Sequence, residues 1–168
     1  EALMMKTGII LAGGRSSRMG KDKSLINSNV ARLSNEMKMS GCTRIIVMCG
    51  TEERSSLFEE ECIPDSSKTL AESLLYLLSE IEGRVQLAPC DAYLADAEFF
   101  SAIDGVPTDD AGERQPLLAN FDAKTELELS VKIGEVFKNI PSCEGGLKAR
   151  NTNTPTQLKE IQSLLLQA

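Results

Sequence analysis

The sequence predicts a three-layer α/β fold built around a mostly parallel sheet, and two observations support this prediction. Three short, continuous apolar runs, at residues 7–11, 44–49 and 84–88, have the length and composition of strands that are buried on both faces. Between these runs lie stretches whose apolar residues recur at helical spacing. Strands that alternate with helices pair in parallel through right-handed crossovers. We therefore expect helices on both faces of one sheet, with an antiparallel strand at its edge.

Each predicted element rests on a local pattern. Residues 30–39 and 69–81 carry their apolar side chains on one helical face, and these residues are Val30, Leu33 and Met37 in the first stretch and Leu70, Leu74, Leu77, Leu78 and Ile81 in the second. Further along, residues 117–121 are typical of a strand and residues 127–140 of a helix. A last helix is predicted after Thr154, which stands at an N-cap position with Pro155 first in the helix and Gln157 third.

Length and charge limit the function. At 168 residues the chain fits one domain, residues 1–168, and residues 1–4 are expected to be a leader or an expression remnant. The net charge of -7 argues against nucleic acid as a partner, because binding a phosphate backbone needs a basic face. No apolar run approaches the roughly 18 residues of a membrane span, and no signal peptide is visible. We expect a cytoplasmic protein that binds neither nucleic acid nor membrane.

The cysteines and the missing histidine limit the chemistry. Five cysteines are widely scattered without a CxxC pair, so they predict buried packing in a reducing cytosol rather than a zinc site. The sequence contains no histidine, which removes the usual general base. Any catalysis must therefore depend on carboxylates, cations or a metal.

Residues 11–23 (LAGGRSSRMGKDK) form a cationic, glycine-containing loop after the first predicted strand. Gly13 and Gly14 allow the backbone to approach a ligand closely, and consecutive amides in such a turn form a concavity for anions. Four cations follow within nine residues, and these are Arg15, Arg18, Lys21 and Lys23. Ligands of open α/β sheets bind beyond the carboxyl ends of the strands, which is where this loop lies. The alternative is a solvated loop whose arginines only aid solubility.

Two common phosphate fingerprints do not fit this loop. A P-loop needs a glycine five residues before its Gly-Lys pair and Ser or Thr after it, but Gly20 and Lys21 are preceded there by Arg15 and followed by Asp22. The dinucleotide pattern GxGxxG also fails, because Gly13 and Gly14 are adjacent.

The run LAGGRSSRMGKDKSL at residues 11–25 instead resembles the signature of the MobA-like nucleotidyltransferases. Two further segments of the family fall in the expected order: Pro-Cys-Asp at residues 89–91 and Asn-Thr-Asn-Thr-Pro at residues 151–155. Together the three segments resemble the molybdenum cofactor guanylyltransferases, which join GMP from GTP to molybdopterin. The fold implied is the Rossmann-like, mostly parallel sheet of the nucleotide-diphospho-sugar transferases.

The resemblance implies a role for particular residues. The nucleotide-binding residues it implies are Leu11, Ala12, Gly13, Gly14, Lys23, Asp65 and Asp91. Arg18 and Lys23 match the phosphate-contacting cations of the family, and Asp91 matches its magnesium ligand, so Arg18, Lys23 and Asp91 are the implied catalytic residues. Asn151 and Asn153 match asparagines on the acceptor side. The implied substrates are GTP and molybdopterin with Mg²⁺ as cofactor, and the resemblance leaves room for transient contact with other molybdenum-cofactor proteins.

These residue types suit the chemistry, although each has a structural alternative. A carboxylate at the end of a strand can hold Mg²⁺, and an acceptor phosphate is already ionised, so no general base is needed. Asp91 could instead serve only as a turn residue, Asp65 follows Pro64 in a plausible turn, and Asn151 and Asn153 flank a helix cap.

The chain departs from the family pattern in three places. The Gly-Pro-Leu-like turn that contacts the base is replaced by SKTLAE at residues 67–72, the asparagine at the end of the second strand by Met48, and a His-Pro pair by Gln115 and Pro116. Guanine selectivity is therefore open. Cytidylyl transfer, transfer to another phosphorylated acceptor, and non-catalytic nucleotide binding are the alternatives.

Overall fold

A computed structural model describes residues 5–13, 23–51 and 58–150 together with positions 159 and 163, and within them five strands form one sheet. The strands are β1 (Lys6–Leu11), β2 (Arg44–Gly50), β3 (Glu61–Pro64), β4 (Arg84–Pro89) and β6 (Asn120–Asp122), and their order across the sheet is β3-β2-β1-β4-β6. The first four run parallel to one another, and β6 is antiparallel to β4 at the edge. A separate parallel pair joins β5 (Val106–Asp109) to β7 (Ser142–Gly146).

Helices cover both faces of the five-stranded sheet. The helices are α1 (Lys23–Met39), α2 (Leu70–Leu78), α3 (Ala97–Ala102) and α4 (Ile133–Val136). Apolar residues of α1 and α3 pack with Ile10 and Val47 on one face, whereas those of α2 and α4 pack with Ile9 and Ile46 on the other. Each fully buried Leu, Ile, Phe or Met contributes about 1.5–3 kcal/mol by leaving water. The prediction of a three-layer, mostly parallel α/β fold with an antiparallel edge strand is confirmed.

Gly8 sets how closely α1 approaches the sheet. A β-carbon at Gly8 in β1 would lie 2.5 Å from Sδ of Met37 and 2.9 Å from Cδ1 of Ile45. Only a residue without a side chain leaves room there for Met37, which is fully buried. The helix that begins at Lys23 is therefore seated directly on the central strand.

The predicted strands at residues 7–11, 44–49 and 84–88 and the helix in residues 69–81 are confirmed. The predicted helix at residues 30–39 is also confirmed, and it begins earlier, at Lys23. The helix predicted after Thr154 lies outside the described residues, apart from positions 159 and 163, which are helical.

Two predictions in the second half are wrong in part. The strand predicted at residues 117–121 begins as a short 3-10 helix, Pro116–Leu118, because Pro116 cannot donate to a ladder, and β6 starts only at Asn120. The helix predicted over residues 127–140 is a single turn, α4. Its N-cap, Lys132, makes no side-chain capping bond, and Gly134 lies inside the turn, so a longer helix is poorly nucleated.

The cysteines behave largely as small apolar residues. Three of the five are buried and two half-buried, and all pack in or against the α1 side of the core. Cys62 of β3 contacts Cys49 of β2, and burial, followed by this neighbour, raises the pKa of Cys62 to about 11. None of the helices in the described part of the chain combines the length and the hydrophobicity that a membrane span requires.

Candidate functional site

The carboxyl ends of four parallel strands meet along one edge of the sheet. There the amide of Ala12 donates to the carbonyl of Met48 (2.8 Å), and the amide of Cys90 donates to the carbonyl of Leu11 (3.0 Å). The amide of Asp65, just after β3, donates to the carbonyl of Gly50 (2.9 Å). These bonds extend the strand ladders by one residue and hold the strand ends in a continuous row. Ligands of open α/β sheets bind at such an edge.

The predicted phosphate loop connects this edge to a helix N-terminus. Leu11 ends β1, and Ala12 and Gly13 continue from it. Gly14, Arg15, Arg18 and Lys21 lie outside the described residues. Lys23 is the first residue of α1, and its side chain is not described. The loop therefore runs from the end of a buried strand to the start of a 17-residue helix, where orphan amides and the helix dipole favour anions.

Asp65 lies beside the beginning of this loop. A β-carbon at Gly13 would stand 3.8 Å from Oδ2 of Asp65 and 3.9 Å from Cα of Gly50. Oδ1 of Asp65 is buried and has no hydrogen-bond partner in the described part of the chain. Burial raises the pKa of Asp65, and a hydrogen bond from the backbone of Gly50 acts in the opposite direction. The structure thus brings together Gly13 and Asp65, two of the residues expected to bind the nucleotide.

Asp91 follows β4 in a tight turn. The amide of Ala92 donates to the carbonyl of Pro89 across 3.0 Å, which closes the turn around Cys90 and Asp91. Asp91 is half-buried. Because β4 pairs with β1, this turn stands next to the strand that leads into the phosphate loop. Asp65 stands farther along the edge, after β3, with β2 and β1 between the two aspartates.

Polar residues of α1, which no sequence motif predicted, hold the turn of Asp91 and the segment that follows it. Asn29, which is 4% exposed, donates from Nδ2 to the carbonyl of Cys90 (2.8 Å) and more weakly to that of Ala92 (3.4 Å). Polar residues at helical spacing usually form a solvated face, so no sequence signal marked Asn29 as buried.

Arg32 and Glu36, on the same side of α1, complete this network. Arg32 donates to Oδ1 of Asn29 (2.8 Å), to the carbonyl of Ala92 (2.9 Å) and to that of Ala95 (2.7 Å). Glu36 accepts the amide of Ala97 (2.8 Å). Burial lowers the pKa of Arg32, and the carboxylates of Glu36 and its neighbour Asp96 partly offset this effect.

The chain that leads into the predicted acceptor segment is also anchored. Lys148 donates to Asp96 (2.7 Å), the N-cap of α3, and to Glu98 (3.0 Å). Arg150 forms a bidentate ion pair with Asp110, in which Nε donates to Oδ1 across 3.0 Å and a terminal guanidinium nitrogen donates to Oδ2. Asn151 and Asn153 follow directly and lie outside the described residues.

The segment that replaces the base-contacting turn forms the entrance to α2. Thr69 is the N-cap, and its hydroxyl accepts the amide of Glu72 (3.2 Å) and donates to the Glu72 carboxylate (3.0 Å). The amide of Ser67 donates to Oγ of Ser73 (3.0 Å), and that hydroxyl donates back to the carbonyl of Ser67 (3.3 Å). Helix-capping chemistry therefore fixes this segment beside Asp65.

The donor set at this edge suits a hard divalent cation held largely by its substrate. No group of three or more His, Cys, Asp or Glu side chains that could hold a metal occurs among the described residues. Mg²⁺ does not need such a cage, because it binds through one or two carboxylates together with waters and substrate phosphates. Asp91, in the turn whose Cys90 amide is bonded to the end of β1, supplies a carboxylate of this kind.

A parallel sheet with a glycine loop and carboxylates at its carboxyl edge is an arrangement typical of nucleotide-binding α/β proteins. The family model described as the MobA-like NTP transferase domain matches residues 8–128. The chain therefore belongs to the MobA-like NTP transferase domain family, and membership supports nucleotidyl transfer as the class of reaction. The matched residues include Asp65 and Asp91, whereas Asn151 and Asn153 lie beyond them. Comparison with curated proteins gave no match.

Solved structures confirm the fold. A putative protein (Aq1419) from Aquifex aeolicus VF5 is 20% identical with a TM-score of 0.68, covering 91% of this chain and 96% of its own. The 4-diphosphocytidyl-2C-methyl-D-erythritol synthase from Anaerococcus prevotii is 12% identical with a TM-score of 0.60, covering 97% and 99%. Rv0371c from Mycobacterium tuberculosis, in a complex with manganese, is 15% identical with a TM-score of 0.55, covering 99% and 100%. The sheet is thus of the nucleotide-diphospho-sugar transferase type.

Proposed function

We propose that this protein transfers GMP from GTP to molybdopterin in the presence of Mg²⁺ and releases pyrophosphate. The observation that carries the proposal is the row of strand ends in which Gly13 faces Asp65 and the turn of Asp91 is bonded to the end of β1. Such a row offers a glycine backbone for phosphates, a carboxylate for the nucleoside and a carboxylate for a metal, within a family of NTP transferases.

The proposed reaction is a single displacement at phosphorus. An oxygen of the terminal phosphate of molybdopterin attacks the α-phosphorus of GTP, the bond from that phosphorus to the bridging oxygen breaks, and pyrophosphate leaves with the electron pair. Arg18 and Lys23 contact the β- and γ-phosphates and stabilise the charge that develops there. The chain contains no histidine, and none is needed because the attacking phosphate is already ionised near neutral pH.

Asp91 is the proposed metal ligand. When bound there, Mg²⁺ neutralises charge on the phosphates that the reaction rearranges. The backbone of Leu11, Ala12, Gly13 and Gly14 approaches the nucleotide, and Asp65 accepts from its nucleoside part.

Asn151 and Asn153 are proposed to bind the acceptor. The support for this assignment is the anchoring of the residues that precede them, since Lys148 is held by Asp96 and Arg150 by Asp110. Asp96 lies five residues after Asp91 on the same connection, so the chain enters the acceptor segment close to the connection that carries the proposed metal ligand.

The test is a pyrophosphate-release assay with GTP, Mg²⁺ and molybdopterin. Release that requires all three components, together with formation of the guanine dinucleotide cofactor by mass spectrometry, is expected. Tight binding of GTP without release of pyrophosphate would contradict the proposal and favour a non-catalytic nucleotide-binding protein.

Cytidylyl transfer is the second candidate, and the entrance to α2 favours considering it. The capping bonds of Thr69 and the Ser67–Ser73 pair occupy the segment where the family carries its base-contacting turn. A changed turn changes which base edge is recognised. Repeating the assay with CTP in place of GTP separates the two candidates, as does a comparison of how far each nucleotide raises the melting temperature.

A further inference from the structure

We propose that Asn29 and Arg32 of α1 are positioning residues that fix the turn of Asp91 relative to the phosphate loop. The inference rests on the proposed role of Asp91 as the metal ligand. It goes beyond that role by naming the side chains that keep the carboxylate in place, at positions that lie in neither the nucleotide motif nor the metal motif.

Asn29 holds the turn from both sides. Its amide nitrogen donates to the carbonyls of Cys90 and Ala92, the residues that immediately precede and follow Asp91. Asn29 is buried, so these bonds compete with little water, and losing the donor would remove the 2.8 Å bond to Cys90 and leave Arg32 to hold the carbonyl of Ala92. A rotation of this turn, which would swing the carboxylate of Asp91, must break these bonds.

Arg32 fixes the orientation of Asn29 and adds hydrogen bonds of its own to the same segment. Because Nε of Arg32 donates to Oδ1 of Asn29, the amide nitrogen of Asn29 must point at the turn. The other two guanidinium nitrogens donate to the carbonyls of Ala92 and Ala95 at 2.9 and 2.7 Å. The planar guanidinium thus joins the helix to the turn at fixed spacing, which a lysine ammonium could not reproduce.

The helix that carries both residues is the one that begins at the end of the phosphate loop. Lys23 is its first residue, and Asn29 and Arg32 lie six and nine residues later in an uninterrupted helix. The distance from the loop's end to the Asp91 turn is therefore set by a rigid element and three short hydrogen bonds. A displacement of about 1 Å between reacting groups costs about 100-fold in rate, so this spacing matters to the reaction.

Asn120, in the edge strand β6, provides a matched control for the substitution of Asn29. Asn120 is also a buried asparagine, 5% exposed, that donates to a neighbour, Gln86 (2.9 Å), and accepts from an arginine, Arg84 (2.6 Å). Asn29→Asp and Asn120→Asp both replace a buried donor with an oxygen and keep the size of the side chain. Arg32→Lys keeps the charge and is the milder variant should Asn29→Asp not fold.

The experiment measures Mn²⁺ binding by electron paramagnetic resonance in the presence of a non-hydrolysable GTP analogue, beside kcat and KM for GTP. We expect Asn29→Asp and Arg32→Lys to weaken Mn²⁺ binding about tenfold and to lower kcat, with the affinity for the nucleotide alone unchanged. Asn120→Asp should retain wild-type Mn²⁺ binding at a comparable melting temperature.

The outcomes separate this inference from the proposed function. If Asp91→Asn loses Mn²⁺ binding while Asn29→Asp and Arg32→Lys keep it at the level of Asn120→Asp, the positioning role is overturned and the metal site stands. If Asp91→Asn binds Mn²⁺ as tightly as the wild type, both are overturned.

Discussion

Gly13 and Asp65 face each other across the carboxyl edge of the sheet, with 3.8 Å between the position of a β-carbon on Gly13 and Oδ2 of Asp65. That distance is ordinary van der Waals contact, so the backbone at Gly13 has room for a methyl group. The glycine is therefore not required for packing against Asp65. Its proposed value is to let a phosphate approach the chain at this point.

Gly13→Ala tests this separation of folding from binding. We expect the free energy of unfolding to change by less than about 0.5 kcal/mol, as for substitutions away from strained or tightly packed positions. The affinity for GTP should fall about tenfold, because the methyl group stands between the backbone and the ligand. Urea denaturation and calorimetric titration measure the two quantities. Unchanged GTP affinity would contradict the proposed close approach.

The difference in stability between Asp65→Asn and the wild type should depend on pH in a direction set by burial. Burial raises the pKa of Asp65 in the folded protein, so the folded state binds this proton more tightly than the unfolded state does. Stability therefore falls as the pH rises from the unfolded pKa through the raised folded pKa, and stays lower above it. Asparagine escapes this loss. Relative to the wild type, the variant should gain stability between pH 4 and pH 7, by less than about 1 kcal/mol for a half-exposed group.

Asp110→Asn provides a control of opposite sign for this measurement. Arg150 lowers the pKa of Asp110, so the pair stabilises the protein above the unfolded pKa and this contribution is lost as the pH falls through the folded pKa. The variant should be the less stable protein at pH 7, with the difference shrinking at lower pH. Melting temperatures measured by circular dichroism across this range follow both variants. Parallel curves for Asp65→Asn and wild type would contradict the expected effect of burial.

Asp91→Asn should abolish transfer and spare the fold. Removing the charged ligand is expected to lower kcat about 100-fold or more, since a metal ion contributes several kcal/mol to stabilising the charge. Asp104→Asn is the matched control, because Asp104 is an exposed carboxylate that binds Arg84 at the opposite end of β4. That variant should keep wild-type kcat. Equal activity of Asp91→Asn and Asp104→Asn would show that Asp91 is only a turn residue.

The central strands could be predicted because burial on both faces leaves an unmistakable apolar run. β1, β2 and β4 carry such runs, and each lies between two apolar layers. The short strands β5 and β7 carry no such signal. Their sequences, VPTD and SCEGG, contain proline and glycine and form strands only because each pairs with the other.

Those residues of the candidate site that belong to a short sequence motif could be predicted. The resemblance to a family named both Gly13 and Asp65 as nucleotide-binding residues, but β3, the strand that brings Asp65 to within reach of Gly13, was not predicted. The hydrogen bond from Asn29 to the carbonyl of Cys90 joins positions that are 61 residues apart in the chain. Its acceptor is a backbone carbonyl, which every residue has, so the residue type at position 90 gives no hint of the contact. Only the folded backbone reveals such a contact.

The thiol of Cys62 should react unusually slowly with alkylating reagents. Its pKa is raised to about 11, first by burial and then by the neighbouring Cys49. Because only the thiolate reacts, the rate of iodoacetamide modification should rise about tenfold for each pH unit from pH 8 to pH 10. Peptide mass spectrometry follows this rate. In urea, where the protein is unfolded, the modification rate of Cys62 should stop rising near an ordinary thiol pKa of about 8.5. In the folded protein, Cys49→Ala should shift the pH profile of the Cys62 modification rate to lower pH. An unshifted profile would show that burial alone raises the pKa of Cys62.

Thr69→Ala should weaken the entrance to α2. The hydroxyl of Thr69 satisfies the amide of Glu72 and bonds to its carboxylate, so its loss leaves one orphan donor at the helix start and should cost about 1 kcal/mol. Thr69→Ser keeps the oxygen and should keep most of the stability. Urea denaturation with an unchanged m-value measures the difference. Because this cap fixes the segment beside Asp65, the alanine variant should also narrow the difference between GTP and CTP in melting temperature. A difference that survives the loss of the cap would place base recognition elsewhere along the edge.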